Sequence, residues 1–386
     1  MRVALPAQDR VLLSCPVRLP LGRAEAGRRL WRLTPDDGSP AVVAQVVEED
    51  SGPVLLWVVE WLPRGRGRAY EATPLPQGEA EGAKGVELHP RSEGAVEVSV
   101  NGAHLTTYRW GPDVARPYFY PLVGPHGHSL TRHFPMREDV EGETHDHPHH
   151  RSLWVAHGDV NGVDNWSEGK GHGRVRGRGE PRLSGGPVLG ILEAENDWLA
   201  ADGGKVCEEL RRVRFYASGH GARVADSEIC FRASEGDLRF GDTKEGGILS
   251  LRVAGTMKGK SGGIITTATG GRGEAEAWGN RAAWCDYSGL VAGDLVGVAI
   301  FDHPANFRHP TYWHVRDYGL MTANPFGLSY FLGDPERDGS LLVPAGGELT
   351  FRYRLYCHAG DARGGYVPEQ YLNYAFPPQP ARAGER

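Results

Sequence analysis

The chain has 386 residues and a formal net charge of −6. This length allows one large domain, or a large and a small one. The negative charge argues against a nucleic-acid-binding protein, which usually carries a basic face. No apolar run approaches the roughly 18 residues that a membrane helix needs, and polar residues interrupt the N-terminus where a signal peptide would be apolar. We therefore expect a cytoplasmic protein without a membrane or nucleic-acid partner.

Short runs that alternate apolar and polar residues recur along the chain, for example "AVEVSV", "RVRFYA" and "SEICFRA". They are separated by many of the 54 glycines and 27 prolines, and helical periodicity is almost absent. This pattern predicts an all-β fold, a large antiparallel sandwich or a barrel. Five scattered cysteines without a CxxC pair suggest neither a zinc ribbon nor a disulfide framework.

In chain order, residues 1–92 read as a small N-terminal β module with strands such as "PVLLWVVEWL". The polar, Gly-rich stretch "PLPQGEAEGAKG" near its end is typical of an exposed loop or linker. Strand signals then continue through residues 93–365, the predicted sandwich domain. Residues 366–386 form a Pro-rich tail that we expect to fray.

Two stretches that flank residue 145 have the composition of a carbohydrate pocket. "RPYFYPLVGPHGHSLTRHFPM" and "WVAHGDVNGVDNW" mix hydrogen-bonding side chains with aromatic rings and Gly turns. Sugar hydroxyls need fixed hydrogen-bond partners, whereas the apolar faces of a sugar stack on aromatic rings. The candidate substrate-binding residues here are Arg116, His126, His128, Arg132, His157, Asp159, Asn161 and Trp166.

Between these stretches, "GETHDHPHHRSLW" is rich in histidine. Nine of the sixteen histidines fall between His126 and His172, where even spacing would place about two. If the segment is extended, His145, His147 and His149 lie on one side, and Asp146 and His150 lie on the other. Such imidazoles could perform acid–base chemistry, bind a metal, or belong to a polar loop. Asp146 or Asp159 could fix the tautomer of a functional ring.

Two later segments add further polar candidates. "LRFGDTKEGGILSLRV" contains a turn that could present Lys244 and Glu245 as base and electrostatic partner, or could be a plain hairpin turn. In "FDHPANFRHPTYWHVRDYGLMTANPFG", an extended "WHVRDY" would place His314, Arg316 and Tyr318 on one face. The candidates from this second segment are Asp302, His303, His309, His314, Arg316, Asp317 and Asn324.

The stretches "RPYFYPLVGPHGHSLTRHFPM", "HDHPHHRSLWVAHGDVNGVDNW", "FGDTKEGG", "WCDYSG" and "FDHPANFRHPTYWHVRDYGLMTANPFG", which lie within residues 116–327, resemble a bacterial family known as the PmoA family, with a DUF6807-type domain. The family name refers to a membrane-bound methane oxygenase subunit, whereas this chain contains no predicted membrane span. The resemblance implies a β-sandwich similar to galactose mutarotase and a role in carbohydrate metabolism. It supplies no catalytic residues.

We therefore expect an enzyme that performs acid–base chemistry on a sugar, glycoside or keto-sugar: epimerisation, elimination or hydrolysis. His147 or His149 would be the acid or base, partnered by Glu245 or Asp317, and His150 would contact the substrate. The histidine-rich segment, residues 142–154, is called the histidine loop below. It and residues 302–317 should then meet over one concave face. A first alternative is a metal-dependent lyase or iron oxygenase with His145, His147 and His149 as candidate ligands to a divalent metal. A second is a non-catalytic sugar-binding module; the oligomeric state stays open.

Overall fold

The computed structural model describes residues 1–76, 84–91, 94–219 and 222–382. Residues 77–83 of the predicted linker, and the last four residues of the tail, lie outside these ranges.

In chain order, the strands of the N-terminal half are β1 (Arg2–Leu5), β2 (Leu12–Pro20), β3 (Leu30–Pro35), β4 (Val42–Glu49), β5 (Gly52–Leu62), β6 (Arg68–Pro74), β7 (Val86–Arg91), β8 (Ala95–Val100), β9 (Ala103–Arg109), β10 (Tyr118–Phe119), β11 (Leu153–His157), β12 (Arg174–Gly177) and β13 (Arg182–Ser184). The remaining strands are β14 (Leu189–Leu199), β15 (Lys205–Tyr216), β16 (Ala222–Arg232), β17 (Leu238–Phe240), β18 (Gly246–Arg252), β19 (Ile264–Thr267), β20 (Trp284–Val291), β21 (Asp294–Asp302), β22 (Trp313–Arg316), β23 (Leu320–Ala323), β24 (Leu341–Val343), β25 (Glu348–Ala359) and β26 (Ala381–Arg382).

Helices are few and short. They are α1 (Arg23–Ala26), α2 (Gly273–Ala277), α3 (Leu328–Phe331), α4 (Val367–Ala375) and two 3₁₀ turns at Gly255–Met257 and Gly259–Ser261. Of the helices in the described ranges, none has the length and apolar character needed to cross a membrane.

Two antiparallel sheets form the sandwich. The front sheet has eight strands in the order β22-β23-β18-β11-β10-β9-β8-β7. The back sheet follows the order β12-β14-β15-β16-β25-β21-β20-β19, with β13 paired to β14. Alternate side chains of both sheets, such as Trp198, Ile229, Leu251 and Val298, are buried together in the core between them. The prediction of an all-β, antiparallel sandwich is confirmed.

The N-terminal strands form a third sheet of seven strands, ordered β2-β5-β4-β3-β6-β1-β26. Apolar residues of β4 and β5, among them Leu56, pack with residues of the back sheet such as Phe301 and Tyr356. The module therefore covers the outer side of the back sheet, not the front sheet. Strand β7, which precedes the predicted boundary at residue 92, pairs with β8 in the front sheet and so belongs to the sandwich.

The C-terminal segment is more ordered than the expected frayed tail. Helix α4 buries Val367, Gln370, Tyr371 and Asn373, because its apolar and amide side chains recur on one face. After it, β26 pairs with β1 and so completes the N-terminal sheet. The segment that follows the sandwich domain is thus held to the first strands of the chain.

Asn373 tests this connection. Its side chain donates to the carbonyl of Val11 at 3.1 Å and accepts from Arg10 at 2.7 Å. Asn373→Ala leaves buried polar partners unpaired and should lower the free energy of unfolding by about 1–3 kcal/mol in urea titrations. Leu372→Ala, at an exposed position of the same helix, is the matched control and should cost clearly less. Equal losses of unfolding free energy in the two variants would show that the amide contacts of Asn373 contribute nothing to stability.

Candidate functional site

The outer face of the front sheet carries polar and aromatic side chains in register. Pairing between neighbouring strands aligns His314, Thr322, Ser250, Trp154 and Tyr118, one from each of β22, β23, β18, β11 and β10. Their neighbours in sequence point into the core, because side chains alternate along a strand. We call these five side chains the floor row.

Arg252 lies two residues after Ser250 on β18, so its side chain points to the same face. Its side chain is fully buried, so its charge requires a partner. Arg132, equally buried, approaches from the loop that follows β10. Two guanidinium groups therefore lie beneath the histidine-rich loop.

Asp146 pairs with both arginines. Its carboxylate accepts from Arg132 at 2.6 Å, from Arg252 at 3.0 Å, from Thr144 at 2.9 Å and from the Nδ1 of His147 at 2.8 Å. Partial burial alone would raise the pKa of this carboxyl group. The charge of Arg252 and the hydrogen bonds from His147 and Thr144 outweigh that effect and hold the pKa well below its usual range.

The histidine loop is bent and not extended, contrary to the expectation from its spacing. Arg132 donates to the carbonyls of Thr144 and His147, and His147 adopts a left-handed backbone conformation with φ of 46°. His145 consequently stacks on Phe134, at a centroid distance of 4.5 Å. The expected separation of His145, His147 and His149 from His150 is wrong, because captured carbonyls and Asp146 determine the path of the loop.

The bend places rings in a continuous stack. Tyr318 lies 5.1 Å from His147, His147 lies 4.8 Å from His150, and His150 lies 5.2 Å from Trp154 of the floor row, all near parallel. Arg252 donates to the Nδ1 of His150, so this imidazole is the tautomer with a proton on Nε2. Burial, followed by the electrostatic effects of His149 and Arg252, keeps the pKa of His150 well below its ordinary value.

His149 lies at the edge of this stack, against His150 and Trp166. Burial, and then the positive charge of Arg116, lowers the pKa of His149 to about 4, so the ring is neutral at physiological pH. Arg116 is itself buried and forms an ion pair with Glu168 at 3.3 Å. Glu168 was not among the predicted residues.

Lys244 and Glu245 lie at the opposite border of the face. The carbonyl of Lys244 accepts from the Nδ1 of His314 at 2.6 Å and from Asn324 at 3.3 Å, so these two predicted residues hold the loop in place. Lys244 and Glu245 form an exposed ion pair at 3.6 Å. The negative charge of Glu245 acts on Tyr318 and helps to raise the pKa of that phenol, after burial.

Asp302, His303 and His309 do not reach this face, which corrects their predicted role. Asp302 ends strand β21, which belongs to the back sheet, and it accepts there from His309 at 2.8 Å. His303 contacts Tyr374 of α4. The segment 301–327 therefore contributes strands to two sheets, and only residues from β22 onward lie at the candidate site.

Other predicted residues have structural partners. Arg316 pairs with Glu274 at 3.0 Å, and Asp317 accepts from the backbone of Glu274, so both side chains are directed towards α2. His126 and His128 are exposed in a turn beside the sheet.

The segment that contains His157, Asp159 and Asn161 is joined to β17 and the loop after it. His157 donates to the carbonyl of Gly241 at 2.9 Å, Asn161 to that of Asp237, and Asp159 pairs with Arg239. Trp166 is buried beside Trp154, so it supports the floor and is not an exposed stacking surface.

His145, His147 and His149, the candidate metal ligands, do not form a set of three ligands. His145 faces Phe134, and the Nδ1 of His147 is bound to Asp146. Across the described ranges, no three His, Cys, Asp or Glu side chains are arranged to hold a metal ion. The residues therefore do not fit the metal site considered above.

Fold and site together define an antiparallel β-sandwich protein with a histidine-lined outer face. The chain belongs to the family of unknown function DUF6807, whose model matches residues 95–371. No curated protein matches its sequence. Among solved structures, an alpha-galactosidase from Lactobacillus brevis is similar at 8% identity and a TM-score of 0.28, over 92% of this chain and 42% of that one. The chain thus spans less than half of that structure.

Asp146→Asn should destabilise the protein strongly, because it leaves two buried guanidinium groups without a counter-charge. A loss of about 3 kcal/mol in the free energy of unfolding is expected from urea titration. Asp139→Asn, which breaks the exposed pair of Asp139 with Arg137, should leave stability unchanged. A loss for Asp146→Asn no larger than for this control would contradict the anchoring role.

Stability should fall on mild acidification. Burial lowers the pKa of His149, His157 and His314 to about 4, whereas an unfolded imidazole titrates near 6.5. Between these values the unfolded state binds more protons, so the stability present above pH ~6.5 is lost as the pH falls through about 4.

His157→Gln and His314→Asn retain the donor and remove the titration. Each should make the dependence of the melting temperature on pH shallower between about pH 7 and 5. His126→Asn, at an exposed position, is the control with an unchanged slope. Identical slopes in all four proteins would refute the assignment.

Proposed function

We propose that the protein is an enzyme of carbohydrate metabolism that performs acid–base chemistry at the outer face of the front sheet, with His147 as the proton-transferring group. The observation that carries this proposal is the Asp146–His147 pair. Asp146 accepts from Nδ1 and so directs the lone pair of the neutral ring to Nε2. Within the described part of the chain, no hydrogen bond engages Nε2, and the side chain is 40% exposed.

The backbone of His147 supports the same proposal. A left-handed conformation is uncommon for a residue with a side chain, and such conformations concentrate at functional sites. Here Arg132, 15 residues earlier in the chain, holds the carbonyl of His147 and so helps to position the ring. A general base must be placed in this way to reach a substrate proton.

The surroundings of His147 suit a sugar. The rings of Tyr318 and His149 lie 5.1 Å and 5.8 Å from that of His147 and offer a phenol and a neutral imidazole. At Nε2, His147 would take a proton from the substrate or return one to it. Epimerisation results when Nε2 takes the proton from a carbon adjacent to a carbonyl and water delivers a proton to the opposite face, after which the hydroxide formed recovers the proton from His147. Loss of a neighbouring alkoxide, with its protonation, gives elimination. Activation of water and protonation of the glycosidic oxygen give hydrolysis.

Glu245 has a supporting role in this proposal. Its negative charge helps to raise the pKa of Tyr318, whose ring packs on His147. Asp317, the other carboxylate partner considered from the sequence, is directed towards α2 and is not assigned a role. We propose no step that involves a metal, because the described histidines are not grouped as ligands.

His147→Asn tests the proposal with little structural disturbance. The Asn amide can still donate to Asp146, and Asn tolerates the left-handed backbone, so only Nε2 is lost. Glucosides, galactosides and their 3-keto derivatives would be screened by NMR in deuterium oxide for exchange at the carbon beside the carbonyl, for elimination and for hydrolysis.

Turnover by His147→Asn should fall by about 10²- to 10⁴-fold. His145→Asn, in the same loop but stacked on Phe134, is the control and should keep its activity. Wild-type rates in His147→Asn would refute the role of this ring.

A further inference from the structure

Three side chains of the floor row carry buried polar atoms that lack a hydrogen-bond partner among the described residues. They are the indole Nε1 of Trp154 and the hydroxyls of Ser250 and Thr322. All three residues are fully or almost fully buried. Because an unpaired buried polar atom is costly, such atoms are rare in folded proteins, and three on neighbouring strands require an explanation.

The arrangement follows from the sheet register. Trp154 is paired with Ser250, and Ser250 with Thr322, so the three side chains stand side by side across β11, β18 and β23. They point to the outer face, the same face that presents His147. A core-packing role would be met more stably by apolar side chains of the same shape.

We propose that Trp154, Ser250 and Thr322 form a hydroxyl-binding row that recognises a neutral polyhydroxylated ring, the sugar substrate. This inference rests on the proposed function and specifies which residues read the substrate. An indole N–H can only donate, whereas Ser and Thr hydroxyls donate and accept. A ligand hydroxyl can accept from Trp154 and can either donate to or accept from Ser250 and Thr322, whereas a cation cannot accept from Trp154.

The loop that carries Lys244 covers one end of this row. It is held by the bond from His314 of the same row, and it ends in Gly246 and Gly247, with φ of 123° and 130°. A Cβ on Gly247 would lie 2.4 Å from the Thr322 methyl group, so glycine permits this close approach. For a ligand to reach the row this loop must lift, which breaks the bonds that His314 and Asn324 make to the carbonyl of Lys244.

Thr322→Val and Ser250→Ala test the row, first without any ligand. Removing an unpaired hydroxyl should raise the melting temperature of the free protein by roughly 2 °C or leave it unchanged. Bound water shares the chemistry of a sugar hydroxyl, so a row that only holds structural water would lose stability in both variants. Lower melting temperatures would therefore overturn the proposal.

The second arm measures binding by isothermal titration with D-glucose, D-galactose, D-xylose and their methyl glycosides. For the sugar that the wild-type protein binds, each of the two variants should show an affinity about tenfold lower than that of the wild type. Thr106→Val is the matched control: its hydroxyl is also buried and unpaired, but it lines the core cavity between the sheets. This variant should keep the affinity for sugar.

The outcomes separate this inference from the proposed function. Unchanged affinity in Thr322→Val and Ser250→Ala overturns the row even if His147→Asn is inactive. Weaker binding in both variants with an active His147→Asn supports the row and removes the catalytic role of His147. A wild-type protein that binds none of the sugars overturns the row as a sugar-binding surface.

Discussion

The contact of one carboxylate with two buried guanidinium groups organises the candidate site. Arg132 and Arg252 cannot remain buried without a counter-charge, and Asp146 provides it. The loop must bend to bring Asp146 inward, and that bend gives His147 its left-handed backbone and its place on the ring stack. The position of the exposed imidazole is thus a consequence of charge compensation below it.

The packing of the three large sheets determines which face carries the candidate site. The N-terminal sheet and α4 pack on the outer side of the back sheet, so polar residues there serve the internal contacts of the fold. His303 belongs to that side, where it contacts Tyr374 of α4. The outer face of the front sheet carries the histidine loop. Antiparallel register aligns the floor row below that loop.

The sequence pointed to several residues of the candidate site but assigned others to the wrong surroundings. His147, His149, His150 and Arg132 were recognisable because histidines cluster so densely around them. Arg252 was missed, although an arginine within the apolar run "GILSLRV" signals a buried charge that needs a partner. The hydroxyls of Ser250 and Thr322 offered no signal, since isolated Ser and Thr are common in strands.

By itself, the sequence determined the strand-rich fold, because alternation of apolar and polar residues reflects local backbone geometry. It also located the histidine loop. Only the tertiary structure decided which sheet each strand joins and which side chains meet. Asp146 lies 106 residues from Arg252 in the chain, and the bend of the loop depends on that contact. Spacing along the chain reports one face of a regular element, whereas the conformation of a loop is set by partners that are distant in sequence.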